Sequence, residues 1–293
     1  MEKMFLIIKN LIVFTVIVII SGKANGGTEQ KLIQSYESGE WINESNSFYC
    51  SLNQSFDNYA KLELIKLPSK PEQLVFTWLL PDREITDIQI ISRKADWQSK
   101  DILLPQINFF SADMANSIIS FDTDPSSLLR VIKQGGWLDT IIGFGDEQLR
   151  LTFTNTYSNE VVNSYQQCLD NLSPLTWSQA RDNEIFFDTG SRTVENTKDL
   201  MFLKDLVRYV SLDTSVKKVM IDGHTDNVGS PLANRLLSKE RADDVASRLI
   251  EFGLPSNMLE VRAHGQRYPL VENTKLKQAS NRRVLIRLFR HSN

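Results

Sequence analysis

The chain has 293 residues, 41% of them hydrophobic, with 33 Lys and Arg against 36 Asp and Glu for a net charge of −3. That length makes two domains the default expectation. The slightly acidic balance argues against nucleic acid as the partner.

At the start, Lys3 and Lys9 precede Leu11 to Ile20, ten residues without a charge, and Gly22-Lys23-Ala24 then offers small residues at cleavage spacing. This pattern predicts a signal peptide over residues 1–24 and an exported chain. A spanning helix needs about 20 apolar residues. The competing reading, an uncleaved anchor reaching back through Met4 to Ile8, must bury Lys9 and Asn10. No cysteine stands near the cleavage point to carry a lipid.

Residues 25–177 read as a mainly antiparallel β domain with short helices. Leu62 to Ile65, Leu74 to Trp78, Ile88 to Ile91 and Leu149 to Phe153 are short apolar or alternating runs separated by Pro, Asp, Asn and Ser, a strand signature. Ser126 to Lys133 predicts a short helix stopped by Gly135-Gly136, and Tyr157 to Leu172 a second one with Val161, Tyr165, Cys168 and Leu172 on one face. Cys50 and Cys168 are the only cysteines. In an exported chain an even pair reads as a disulfide; two buried free thiols are the alternative. Pro174 to Asp182 is the expected junction, which gives domains of 25–177 and 178–293.

Residues 178–293 read as an α/β domain of order β-α-β-α-β-β. Ile185 to Asp188 predicts a strand, and Leu200, Leu203, Leu206, Val207 and Val210 recur at helical spacing. Val219 and Ile221 alternate into a turn at Gly223. Ala242, Val245, Ala246 and Leu249 form the stripe of a second helix, with Ser238 as its expected N-cap and Gly253 and Pro255 as its stop. Leu259, Val261 and Ala263, then Val284, Ile286 and Leu288, alternate as the last two strands.

The most informative positions lie on the turns of this domain. Gly223-His224-Thr225-Asp226, Asn234, Ser238, Arg241-Ala242 and Asn281-Arg282-Arg283-Val284 place a fixed acid, fixed bases and amide side chains in one order. Over residues 183–290 this constellation resembles the OmpA-like peptidoglycan-binding family. The resemblance implies an OmpA-like layer fold that binds the diaminopimelate stem peptide of peptidoglycan. It makes Asp226 and Arg241 the principal contacts, with Thr225, Asn234 and Arg282 contributing. The chemistry agrees, since diaminopimelate ends in an ammonium and a carboxylate on one carbon. An Asp and an Arg fork answer those two charges, and charge-assisted bonds are about twice as strong as neutral ones. With Ser238 as N-cap, Arg241 sits in a first helical turn, where the macrodipole disfavours a cation and favours an anionic ligand. The plainer reading is a surface salt bridge between Asp226 and Arg241, worth about 0–1 kcal/mol.

Neither half carries a G-x-S-x-G, H-E-x-x-H or P-loop pattern, and His224, His264 and His291 are too scattered for a metal cluster, so no enzyme, cofactor or metal is expected. Asp222, beside Ile221 on a strand, is expected to face solvent. Residues 25–177 carry 11 Lys and Arg against 20 Asp and Glu, net −9, while residues 178–293 carry 19 against 15, net +4. An acidic β domain suits a protein partner and a basic one an anionic wall polymer. The whole layout, with Phe48-Tyr49-Cys50-Ser51-Leu52 and Tyr165 to Leu172 at the two cysteines, is similar to periplasmic T-ring proteins of sodium-driven flagellar motors. It implies a scaffold at the basal body that helps hold stator units. A general envelope tether or stress sensor with the same C-domain is the competing reading.

Overall fold

The computed structural model describes residues 20–24, 27–80, 83–99, 101–111, 117–121, 124–156 and 158–290. The leader expected over residues 1–24 therefore lies outside the described residues as far as residue 19. The chain forms two compact units, Met1–Asn171 and Leu172–Asn293.

The first unit holds two sheets. One contains β1 (Ile20–Ala24), β2 (Gly27–Ile33), β7 (Asp87–Arg93), β8 (Asn108–Ser111), β10 (Trp137–Phe144) and β11 (Glu147–Phe153) in the order β1-β2-β11-β10-β7-β8. The other contains β3 (Ile42–Asn46), β4 (Tyr49–Phe56), β5 (Ala60–Lys66), β6 (Gln73–Trp78) and β9 (Ile118–Phe121) in the order β3-β4-β5-β6-β9. All pairings are antiparallel except that of β2 with β11. Alternation explains the core: Leu62 and Leu64 of β5 are buried, and so are Ile88 and Ile90 of β7. Aromatic pairs join the sheets face to face, Phe56 with Phe153 at 5.4 Å and Trp78 with Phe144 at 5.7 Å between ring centroids.

Two helices complete this unit. In α1 (Pro125–Lys133) Pro125 occupies the first turn, and the Asp124 carboxylate accepts the backbone N–H of Ser126, an N-cap. In α2 (Asn159–Asn171) the expected inward face holds at Tyr165, which is buried, and at Cys168, which is bonded inward, while Val162 and not the expected Val161 is buried in the first turn. Cys168 of α2 is bonded to Cys50 of β4, Cα to Cα 5.9 Å, across 118 positions of sequence. The expected disulfide is thus formed.

The second unit begins before the expected boundary at 177/178, because Trp177 belongs to it. Thr176 closes a capping box on α3 (Trp177–Ala180), and the Trp177 ring lies under the Arg290 guanidinium at 3.7 Å. Next come β12 (Asp182–Phe186), α4 (Thr197–Leu212), β13 (Val216–His224), α5 (Pro231–Glu251), β14 (Leu259–Gly265) and β15 (Arg283–Arg290). The sheet runs β12-β15-β13-β14, with β13 and β14 parallel and the other pairs antiparallel. Ile185, Val219, Ile221, Val284 and Ile286 supply its buried apolar side chains, and Leu203, Leu206, Val245 and Leu249 of α4 and α5 complete the core.

One helix start differs from expectation. α5 begins at Pro231 with Ser230 as its N-cap, the Ser230 hydroxyl accepting the Ala233 N–H. Ser238 lies inside the helix, so Arg241 stands in its third turn and not its first. The macrodipole argument for Arg241 falls with that register.

The disulfide generates a test. Closing a loop of this length stabilises by about 4–5 kcal/mol in the chain-entropy model and often less in practice. Cys50→Ser is expected to lower the urea midpoint of the first unit's unfolding by the equivalent of about 2–5 kcal/mol and to leave the second unit's transition in place. The oxidised wild-type protein is expected to shift in mobility on reduction.

Candidate functional site

β13 ends in the turn that carries the acid. Gly223 is required there, because a Cβ at this position would lie 2.1 Å from the carbonyl oxygen of Ser238. That close approach brings the middle of α5 against the strand end. Ser238, fully buried, fixes the neighbouring strand as well, its hydroxyl accepting the Gly265 N–H at 2.9 Å. Gly265 sits at φ +59°, a left-handed conformation suited to glycine, and its carbonyl accepts the Thr225 N–H at 2.9 Å.

The turn then folds on itself. An Asp226 carboxylate oxygen accepts the Val228 N–H at 3.2 Å, and Asn234 donates to the Asp226 carbonyl at 3.3 Å and to Gln266 at 2.9 Å. Asn234 therefore ties the acid's turn to the loop after β14. The direct cation of Asp226 is Arg282, at 3.1 Å, and not Arg241. Arg282 also donates to the Phe187 carbonyl at 3.1 Å.

Arg241 is 0% exposed. Its Nε donates to the Ser191 carbonyl at 2.8 Å and its Nη2 to the Asp188 carbonyl at 3.1 Å, and the guanidinium stands 5.0 Å from the centre of the Phe187 ring. Among the described residues Nη1 has no hydrogen-bond partner, and neither has the buried hydroxyl of Thr225. Burial lowers the Arg241 pKa to about 10, with Arg282 adding to the shift and Asp226 opposing it. The group is still charged at neutral pH. The surface salt bridge considered from sequence is excluded by this burial and by these carbonyl partners.

Sequence reasoning missed the cradle of Arg241. Asp188 and Ser191 hold the guanidinium through backbone oxygens, which leave no side-chain signature. Phe187, Asp188, Ser191 and Arg282 also line an open groove of about 490 Å³ that reaches Asn196 and Asp199 at the start of α4. Asn281, part of the motif, is committed to structure: its side chain accepts the N–H groups of Leu270 and Val271 and donates to Val271 and Asn273.

A second charged cluster lies just behind the turn. Asp222 is 1% exposed, against expectation, because three side chains from neighbouring strands cover it. Arg262 grips it with two bonds of 2.6 and 2.8 Å, Arg287 donates at 2.6 Å and His264 Nε2 lies at 2.8 Å. Burial pushes the Asp222 carboxyl up, and the bonds from Arg262, His264 and Arg287 outweigh it, so the group sits well below the usual carboxylate range. His264 in turn stacks on His224, ring centroids 4.9 Å apart. Burial of His224, with Arg283 nearby, lowers its pKa from 6.5 to about 4.

Residues 186–283 match the OmpA family model. That span contains the Asp226 turn, Arg241, its carbonyl partners and Arg282, and all of the Asp222 cluster except Arg287. The chain is also similar to the sodium-type flagellar protein MotY of Vibrio parahaemolyticus, 22% identical over 147 residues, half of each chain. The outer-membrane lipoprotein YfiB of Pseudomonas aeruginosa is 41% identical over 76 residues, 26% of this chain and 45% of that one. The peptidoglycan-associated lipoprotein of Buchnera aphidicola is 28% identical over 149 residues, 49% of this chain and 85% of that one. The chain thus spans about half the length of MotY and of YfiB. The OmpA-like reading of the C-terminal unit and the likeness to a motor protein both stand.

The two titrating groups give a pH prediction. A histidine whose folded pKa is depressed leaves the unfolded state to take the proton first, so stability falls as pH drops from 6.5 to about 4. Asp222 holds its contribution until pH falls below the ordinary carboxylate value of 3.8. His224→Gln is expected to flatten the upper part of the urea midpoint's pH profile and to keep the lower part. An unchanged slope between pH 6.5 and 4 would remove His224 from this role.

Proposed function

We propose that this chain is a non-enzymatic periplasmic scaffold of the sodium-driven flagellar motor. Its second unit grips the diaminopimelate stem peptide of peptidoglycan, and its first unit joins MotX and the basal body and helps hold stator units. The observation that carries the wall-binding half is Arg241, a buried cation that has, among the described residues, no carboxylate bonded to it and no acceptor for its Nη1 amino group. A buried charge is costly unless paired. A ligand carboxylate on Nη1 supplies that pairing, the Thr225 hydroxyl of the acid's turn is a further donor for it, and the Asp226 carboxylate, shared with Arg282, receives the neighbouring ammonium. Asn234 acts by holding the turn.

The motor assignment rests on the likeness to MotY and on the acidic, disulfide-closed β unit. The likeness to YfiB and to the peptidoglycan-associated lipoprotein favours a second reading, an envelope tether unconnected with motility. Envelope location is common to both.

Arg241→Lys keeps the charge and loses the fork, and is expected to weaken co-sedimentation with diaminopimelate-type peptidoglycan at least tenfold, a loss of about 1.4 kcal/mol or more. Arg282→Ala, on a partly exposed residue, is expected to weaken it as well. Wild-type sedimentation by both variants, with unchanged melting curves, would sink the site. A deletion strain is expected to build filaments and fail to swim; a swimming strain with detergent sensitivity and outer-membrane blebs would favour the tether.

A further inference from the structure

The helix face and strand edge on the far side of α5 are left uncovered. Leu232 is 80% exposed and Leu236 58%, one helical turn apart, and with Val261 and Ala263 of β14 they line an open groove of about 440 Å³. Clustered exposed apolar side chains of this kind mark interaction surfaces. β14 also ends its sheet among the described residues, so its outer backbone groups form a template for another strand.

The sequence of β14, Leu259-Glu260-Val261-Arg262-Ala263-His264-Gly265, is complementary to itself. Side chains alternate, so Leu259, Val261 and Ala263 share the face towards the groove, and Glu260 and Arg262 share the Asp222 face. Antiparallel pairing of two such strands about Val261 sets Glu260 opposite Arg262 twice over, and Leu259 opposite Ala263. Centring on Glu260 or on Arg262 instead would set like charges directly opposite, which is unfavourable. Glu260 already faces Lys218, and Arg262 already faces Asp222, so both side chains are held in place on that face.

We propose that this edge recognises a second copy of the same chain, with the two β14 strands joined antiparallel across a two-fold axis at Val261. The interface is isologous, each copy offering Leu232 and Leu236 beside the joined Val261 pair. Lys239 and Asp243, 2.5 Å apart at the rim of the groove, supply its polar border.

A single introduced cysteine tests the register, since Cys50 and Cys168 are the only native cysteines and are bonded to each other. Directly opposed antiparallel residues lie about 4.5–5.5 Å apart at Cα, within disulfide reach of about 4.4–6.8 Å. Val261→Cys in the full chain is therefore expected to give a covalent dimer on mild oxidation. Leu259→Cys, two residues off the axis, would stand roughly 13 Å from its mate and is expected to stay uncoupled. Light scattering of the wild-type protein across a dilution series is expected to approach twice the chain mass. The exposed substitution Leu236→Lys and the like-charge substitution Glu260→Arg are each expected to return it to one. Equal cross-linking by both cysteine variants would overturn the proposal. A wild-type monomer throughout would overturn it too and leave the edge to a strand of a different protein.

Discussion

Removing a guanidinium from water without giving it a carboxylate costs solvation that two carbonyl oxygens only partly return. Unit 2 accepts that cost at Arg241, and much of its local architecture follows. The carbonyls of Asp188 and Ser191 must point inward, so the loop after β12 is fixed by the group it holds. Gly223 must be glycine for α5 to come near enough to deliver the side chain. The Asp226 turn then hangs between α5, through Asn234, and the end of β14, through Thr225 and Gly265. Fold and chemistry meet in one buried charge.

Much of this was legible in the sequence, and the reasons for the rest are specific. Four strands of unit 1, β5, β6, β7 and β11, announced themselves through short apolar or alternating runs, and α4 through its apolar stripe, whereas β1 to β4 and β8 to β10 were not read from the sequence. The first half of α5 did not, because its polarity is inverted. Asn234, Ser238 and Arg241 are buried while Leu232 and Leu236 face out, so a search for apolar periodicity starts the helix too late. Asp222 misled for a related reason. Its strand position does place it on the face opposite the apolar core, and two arginines and a histidine then close over it. Arg241 and Asp226 were named together from sequence, but the structure gives Asp226 to Arg282 and holds Arg241 on backbone oxygens some fifty positions away, which leave no sequence signature.

The two charged clusters differ in a way that bears on their roles. Asp222 has donors from three side chains and is chemically complete. Arg241 and Thr225 are not, each keeping a polar group without a partner among the described residues. A complete network rigidifies, whereas an incomplete one beside an open groove retains bonding capacity for something else. His224 and His264 link the two, since the ring stacked on the one is bonded to Asp222 and the other immediately precedes Thr225.

The bond between Cys50 and Cys168 also has a mechanical meaning. Cys168 stands three positions before the end of α2, where the first unit gives way to the second. Tension arriving through Leu172 reaches that sulfur almost at once and passes covalently into β4. The stretch between the cysteines, which are 118 positions apart, is taken off the load path. Pulled straight, that stretch would release roughly 400 Å of slack; with the bond intact it releases none. In a chain pulled from its C-terminal side the strands from β5 to β11, which lie between the cysteines, are shielded from force, whereas β1 to β3, ahead of Cys50, stay on the load path.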